Sequence, residues 1–182
     1  MKEKLYTIPL MDAFKAGDEC PFCFVERQLE QHAMDFVLGV GASYMEDDVR
    51  AETDKMGFCR THYKKMYDYG NRLGTGLILK THFQYKTKEL HEQIRIFAPS
   101  RASVFSRFKK GNTDTDTPKT SLGAWVKEQE DTCYICNFYK DTYARYLDTF
   151  FELFKKSQEF LPLFETCKGF CIPHFGDLVE TA

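Results

Sequence analysis

Six of the seven cysteines and two of the five histidines fall into a pattern that could bind metal ions. Each half of the chain has a Cys-x-x-Cys pair and, further along, a Gly-Phe-Cys-x-x-His motif. The pairs are Cys20 with Cys23 and Cys133 with Cys136, and the motifs occupy residues 57–62 and 169–174. Between Cys23 and Cys59 lie 35 residues, and between Cys136 and Cys171 lie 34. A repeat this regular indicates an internal duplication.

Thiolate and imidazole groups in this arrangement are typical zinc ligands. A Cys-x-x-Cys pair can turn both sulfur atoms toward one point, and a Cys and a His three residues apart on a helix face the same side. We therefore predict two sites of three cysteines and one histidine, a combination suited to tetrahedral zinc. The predicted sites are Cys20, Cys23, Cys59 and His62, and Cys133, Cys136, Cys171 and His174. Four protein ligands leave no open coordination position, which favours a structural role over Lewis-acid catalysis.

Three other interpretations of these cysteines stay open at the level of the sequence. An iron–sulfur cluster with one histidine ligand uses the same residue types and is the main alternative. A redox dithiol of the thioredoxin kind normally lies in a βαβ context, which this helix-rich chain does not predict. The cysteines could also be buried core thiols, although two matched copies of the motif argue against that.

The remaining cysteine and histidines are better explained by packing. Cys167 has no partner in a Cys-x-x-Cys pair, and we expect a small buried hydrophobe rather than a further ligand or a reactive thiol. His32, His82 and His91 lie on predicted helices, and we expect solvated or core histidines. The acidic run at residues 46–48 falls in the first turn of a predicted helix, where carboxylates interact favourably with the helix dipole.

Apolar residues at helical spacing predict an all-α protein. Helices are predicted over about residues 20–39, 45–55, 59–69, 73–98, 124–130 and 136–154. Ser43 and Glu46 have the form of a capping box for the second of these helices. Near the N-terminus, Ile8-Pro9 discourages helix, so residues 1–19 are expected to be extended except for a short turn of helix over residues 13–16, which Asp12 caps and Gly17 ends.

The predicted architecture is two related helical hairpins, each closed by its own metal site. The N-terminal lobe, residues 1–98, contains the first site and the long helix. Residues 99–122 are rich in Ser, Thr, Asp and Gly and are predicted to be a flexible linker. Residues 123–182 form the C-terminal lobe with the second site.

The composition is that of a soluble globular protein and excludes several classes of partner. Of the 182 residues, 43% are hydrophobic and 29% are charged, and the formal net charge is −2. Nucleic-acid binding normally requires a clustered basic face, which is absent. No apolar run approaches the roughly 18 residues of a membrane span. The N-terminal residues do not have the pattern of an export signal, so we expect a cytoplasmic protein, where paired cysteines are metal ligands or redox thiols.

Several further segments resemble a known group of proteins. These segments are residues 1–12, 43–50, 71–74 and 146–151, together with the two Cys-x-x-Cys pairs and the two Gly-Phe-Cys-x-x-His motifs. The chain resembles an uncharacterised bacterial family of cytosolic proteins with duplicated motifs of this kind. The resemblance implies no established activity, although some relatives are labelled as substrate-binding proteins of ABC transporters. Relatives continue beyond the second motif, so the resemblance also implies a further helix after Ala182.

The sequence as a whole predicts a protein with two structural zinc ions rather than an enzyme. We expect an interaction or regulatory protein, whose partner is another protein or a second copy of the chain. An iron–sulfur electron-transfer or redox protein is the competing class. A small-molecule binding protein is a third class and would need a polar-lined pocket between the lobes.

Overall fold

The structure, a computed structural model, describes residues 5–97, 118 and 120–182. Within these residues the chain forms nine α-helices and no strand, which confirms the predicted all-α class. The helices are α1 (Thr7–Lys15), α2 (Pro21–Leu38), α3 (Asp47–Met56), α4 (Arg60–Asp68), α5 (Arg72–Ile96), α6 (Ser121–Asp131), α7 (Tyr134–Lys156), α8 (Phe160–Thr166) and α9 (Ile172–Thr181). No helix among the described residues combines the length and the apolar character needed to cross a membrane.

Two local predictions are wrong at helix starts. Ser43 does not cap α3 but begins a short 3₁₀ helix, Ser43–Met45, and the residue before α3 is Glu46. Helix α1 includes Pro9 in its first turn. Proline is tolerated there because the first N–H groups of a helix have no intrahelical acceptor, so its missing donor costs little.

The helices belong to two compact units, Met1–Phe36 with Ile135–Ala182 and Val37–Tyr134. The first of these units contains both the N-terminal and the C-terminal residues of the chain. Most of the predicted linker, residues 99–117 and 119, lies outside the described residues.

The first unit is built around an aromatic core. Phe22 on α2 and Phe160 on α8 are fully buried, and Phe150 on α7 is 5% exposed. The Phe150 ring lies 5.7 Å from both of the other rings, centroid to centroid, in edge-on geometry. Rings in this arrangement combine a large buried apolar area with favourable quadrupole contacts, so they hold α2, α7 and α8 together.

The second unit is organised by the packing of α3 against α5. Arg50 on α3 donates hydrogen bonds to the backbone oxygens of Tyr44 and Leu77, each at 3.0 Å. Asn71 caps α5 by accepting from the N–H of Gly74 at 2.9 Å, and its amide donates to the backbone oxygen of Leu38 at 2.8 Å. These contacts fix α5 at its N-terminal end.

Candidate metal centres

Four helix N-termini supply the eight predicted ligands. Cys20 immediately precedes α2 and Cys133 immediately precedes α7, and the second cysteine of each pair follows one turn later. Cys59 and Cys171 are the N-cap residues of α4 and α9, and each motif's histidine follows one turn later. Side chains three residues apart lie on the same face of a helix, so every N-terminus presents two ligands together. The positive end of each helix dipole also favours the thiolate form of these cysteines.

The glycine of each motif sets the direction of the chain before the ligands. Gly57 has φ of 64° and Gly169 has φ of 110°, which are conformations that favour glycine. At Gly57 there is also no room for a side chain, because a Cβ atom would lie 2.6 Å from Cε1 of His82. The sharp turn lets the following cysteine cap the next helix.

The first cluster consists of Cys20, Cys23, Cys171 and His174. Nδ1 of His174 lies 3.4 Å from Sγ of Cys20, 3.4 Å from Sγ of Cys23 and 3.0 Å from Sγ of Cys171. The sulfur atoms of Cys23 and Cys171 are 3.6 Å apart, too far for a disulfide. All four residues belong to the first unit.

The second cluster consists of Cys59, His62, Cys133 and Cys136. Nδ1 of His62 lies 3.2 Å from Sγ of Cys59 and 3.2 Å from Sγ of Cys133. His62 is 3% exposed and Cys133 is 5% exposed. As in the first cluster, the ligand atoms all lie within 4.8 Å of one another.

The sequence identified the eight residues that cluster, but the predicted grouping is wrong. Each cluster joins the Cys-x-x-Cys pair of one half to the Cys-x-x-His of the other half. Cys136 lies at the start of α7, which has 23 residues and extends about 35 Å. The residues after α7, with the 7-residue helix α8, bring Cys171 to Cys20 and Cys23 instead of back to Cys136, so the predicted hairpins are not closed by their own ligands.

The ligand separations are close to those around a single tetrahedral ion. With Zn–S bonds of about 2.3 Å and Zn–N bonds of about 2.0 Å, neighbouring ligand atoms lie roughly 3.5–3.8 Å apart. The hydrogen-bonding separations among the ligand atoms of the two clusters, 3.0–3.6 Å, approach that range, and all ligand atoms of a cluster lie within 4.8 Å of one another. Either cluster could therefore hold a metal ion after a small outward movement of its side chains.

The thiols of the first cluster differ in acidity. Burial, with hydrogen bonds to the thiols of Cys171 and Cys20, raises the pKa of Cys23 to about 12. The backbone N–H of His174 stabilises the thiolate of Cys171 and lowers its pKa. Cys171 is thus the preferred thiolate of the pair, and Cys23 must lose a proton when a metal ion binds.

A carboxylate lies on the outer side of the first cluster's imidazole. Oε2 of Glu26 is 3.4 Å from Nε2 of His174, while Nδ1 of the same ring faces the sulfur atoms. A carboxylate on the far nitrogen of a ligand histidine fixes the tautomer and orientation of the ring. The sequence prediction missed Glu26, although its position three residues after Cys23, on the same helix face, was a usable signal.

The remaining candidates lie outside both clusters. Cys167 is partly buried against the core of the first unit, as expected for a small hydrophobe. His82 is a buried core histidine whose Nδ1 lies 2.9 Å from the backbone oxygen of Asp54. Asp47 and Asp48 occupy the first turn of α3, in agreement with the dipole interpretation.

One comparison with known proteins decides the family. A model described as "Family of unknown function (DUF6062)" matches residues 1–182. The chain belongs to this family. No curated protein and no solved structure matches the chain. Membership of DUF6062 agrees with the expected resemblance to an uncharacterised family and assigns no activity, so the function of this member has to be inferred from its own residues.

Proposed function

We propose that this DUF6062 protein binds two structural zinc ions, one in each Cys–His cluster. The observation that supports the proposal is the convergence, twice, of three sulfur atoms and one imidazole nitrogen within 4.8 Å. Soft thiolate ligands with one imidazole are a preferred set for zinc, and four protein ligands close its coordination shell. A closed shell leaves no position for substrate or water, so the ions stabilise the fold and do not perform catalysis.

The ligand spacing favours a single ion over an iron–sulfur cluster. The ligands of a four-iron cluster bind different iron atoms and are therefore held farther apart than the ligands of one ion. Ligand atoms within 4.8 Å of one another, with a sulfur–sulfur separation of 3.6 Å in the first cluster, fit the smaller arrangement. An iron–sulfur electron-transfer protein with the same eight ligands is the alternative that the metal analysis must exclude.

The role that follows is that of a metal-stabilised interaction or regulatory protein in the cytoplasm. All seven cysteines are free thiols, as zinc ligands in a reducing compartment would be. A net charge of −2 offers little attraction to nucleic acid, so the partner we propose is another protein or a second copy of the chain.

Metal analysis of protein purified without added ions tests the proposal. We expect two zinc ions per chain by native mass spectrometry and a colourless protein. Replacement of zinc by Co²⁺ should give the intense visible bands of tetrahedral thiolate coordination. Iron and acid-labile sulfide in an anaerobically purified sample, with broad visible absorption, would refute zinc in favour of iron–sulfur clusters. A fully folded protein with no bound metal would refute both.

A further inference from the structure

A cavity of about 560 Å³ lies beside the second cluster. Its lining includes the turn at Gly57 and Phe58, the ring of Tyr63, and the only tryptophan of the chain, Trp125 on α6. All of its lining residues belong to the second unit. The volume is within the range of small-molecule sites, and the aromatic rings provide apolar walls that suit a planar ligand.

The ring of His82, which lines the cavity, has one nitrogen atom, Nε2, that makes no hydrogen bond to the described residues. His82 is 6% exposed and lines the cavity. Its Nδ1 donates to the backbone oxygen of Asp54, because a carbonyl can only accept. In the tautomer that makes this hydrogen bond, the lone pair is on Nε2. The Cε1–Nε2 edge lies over Gly57, and within the described part of the chain Nε2 has no hydrogen-bond partner.

The charges around the cavity are already balanced. The ammonium group of Lys86 pairs with Glu89 at 2.7 Å and also donates to Gln129. Arg60 and Glu130 contribute opposite charges to the lining. With one charge of each sign from Arg60 and Glu130, the lining has no excess charge that would favour an anion or a cation, whereas a neutral ligand loses little solvation on entry.

We propose that this cavity binds a neutral planar aromatic molecule with one N–H or O–H donor. Nε2 of His82 accepts the hydrogen bond of that donor, and the ring of the ligand packs against Trp125. No buried side-chain nitrogen or oxygen of the described residues lacks a hydrogen-bond partner, so the unpartnered Nε2 is accessible to solvent. A ligand that fills the cavity displaces water from this acceptor, and an analogue without the donor then leaves Nε2 unpaired, which provides selectivity. The proposal concerns a binding activity separate from the two metal centres.

Indole and 1-methylindole form a matched pair of probes, since they differ only at the N–H group. The side chain of Trp125 gives a single indole N–H signal in the ¹H–¹⁵N spectrum of the labelled, zinc-loaded protein, and unlabelled probes add no signal. We expect indole to shift this signal with a dissociation constant below about 1 mM. We expect 1-methylindole to bind about tenfold more weakly. Equal binding of the two probes, or no saturable shift with indole, would overturn the proposal.

A variant at the cavity wall separates this site from general apolar binding. Val126 lines the cavity and is 43% exposed, so Val126→Phe occupies part of the space without disturbing a core. We expect it to weaken indole binding by at least about tenfold. The matched control is Val40→Phe, at a fully exposed valine outside the cavity, and should leave binding unchanged. Equal affinities for the two variants would place the indole elsewhere and refute the assignment.

Discussion

The two Cys–His clusters have the same construction and different neighbours. Both are made from two helix N-termini, with an N-cap cysteine and a second ligand one turn later at each. In the first cluster, the ring of His174 lies near Phe22 and Tyr143, and the carboxylate of Glu26 lies beside Nε2 of this ring. In the second, Cys59 borders an open cavity. The duplicated motif thus determines the ligands, while the residues outside the motif determine support and access.

The largest expected effect concerns which ligands share an ion. In the double variant Cys20→Ser with Cys171→Ser, both changes fall in the first cluster. We expect it to lose one zinc ion and keep the other. In Cys20→Ser with Cys59→Ser, the changes fall in different clusters, and we expect both ions to be lost.

Native mass spectrometry of the two double variants gives opposite results for the two groupings. If each half bound its own ion, Cys20→Ser with Cys59→Ser would keep one ion and Cys20→Ser with Cys171→Ser would keep none. That result would contradict the exchange of ligands between halves. Wild-type protein in the same buffer is the reference for two bound ions.

A second prediction breaks the aromatic support of the first cluster. Phe22 is fully buried and contacts the rings of Phe150 and His174. We expect Phe22→Ala to lower the free energy of unfolding by about 3–5 kcal/mol, because it removes buried apolar area and leaves a cavity. Denaturant titration of the zinc-loaded protein measures this loss.

The matched control is Phe175→Ala in the same unit, at a ring that is 59% exposed. It should cost less than about 1 kcal/mol. If both variants lost a similar amount of unfolding free energy, the buried ring of Phe22 would contribute no more to stability than the exposed ring of Phe175, and the prediction would be wrong.

A third prediction removes the carboxylate that distinguishes the clusters. Glu26→Gln takes away the negative charge beside Nε2 of His174. We expect zinc affinity at the first cluster to fall about tenfold, at the low end of such effects because the carboxylate is partly exposed. Competition with a chromogenic chelator measures both affinities, and the second cluster should not change.

The control for this charge is Glu180→Gln, an exposed carboxylate of the same unit. If it weakened zinc binding as much as Glu26→Gln, the effect would come from net charge rather than from the orientation of the imidazole.

The last prediction concerns an effect that is local to the second unit. Asn71→Ala removes the cap of α5 and the hydrogen bond to Leu38. We expect a loss of about 1–2 kcal/mol in stability, seen as faster amide exchange at the start of α5. The control Asn137→Ala, at an exposed position inside α7, should leave stability unchanged or slightly increased. Unchanged exchange in Asn71→Ala would show that the cap contributes nothing measurable.

Much of the fold and the identity of the clustered residues could be predicted from local patterns. Helical periodicity identified α2, α5 and α7, and Gly57 was correctly expected to end α3. The predicted start of α3 was wrong because two local signals compete at the same residues. Ser43 has the composition of a cap, but the chain makes a 3₁₀ turn first and α3 begins after Glu46.

The pairing of ligands could not be read from spacing alone. The two halves have the same ligand motifs at almost equal separations, 35 and 34 residues, so the sequence favoured sites within each half and gave no sign of the exchange. Helix length does not decide the pairing either, because residues 157–171 include non-helical segments and are long enough, with these segments extended, to span the roughly 35 Å of α7. The path of these residues depends on tertiary packing. The contacts of His82 could not be predicted from local patterns either, because its neighbours Gly57 and Asp54 come from a distant part of the chain.

The exchange of ligands between halves has a consequence for biosynthesis. The loop closed between Cys23 and Cys171 spans 148 residues and encloses the loop between His62 and Cys133, which spans 71. On the ribosome, the inner set of ligands is complete once Cys136 emerges, whereas the outer set waits for His174. Doubling the loop length adds only about 0.6 kcal/mol of closure entropy, so this order is imposed by translation rather than by thermodynamics. A nascent chain of this protein would therefore complete its ligand clusters from the middle outward.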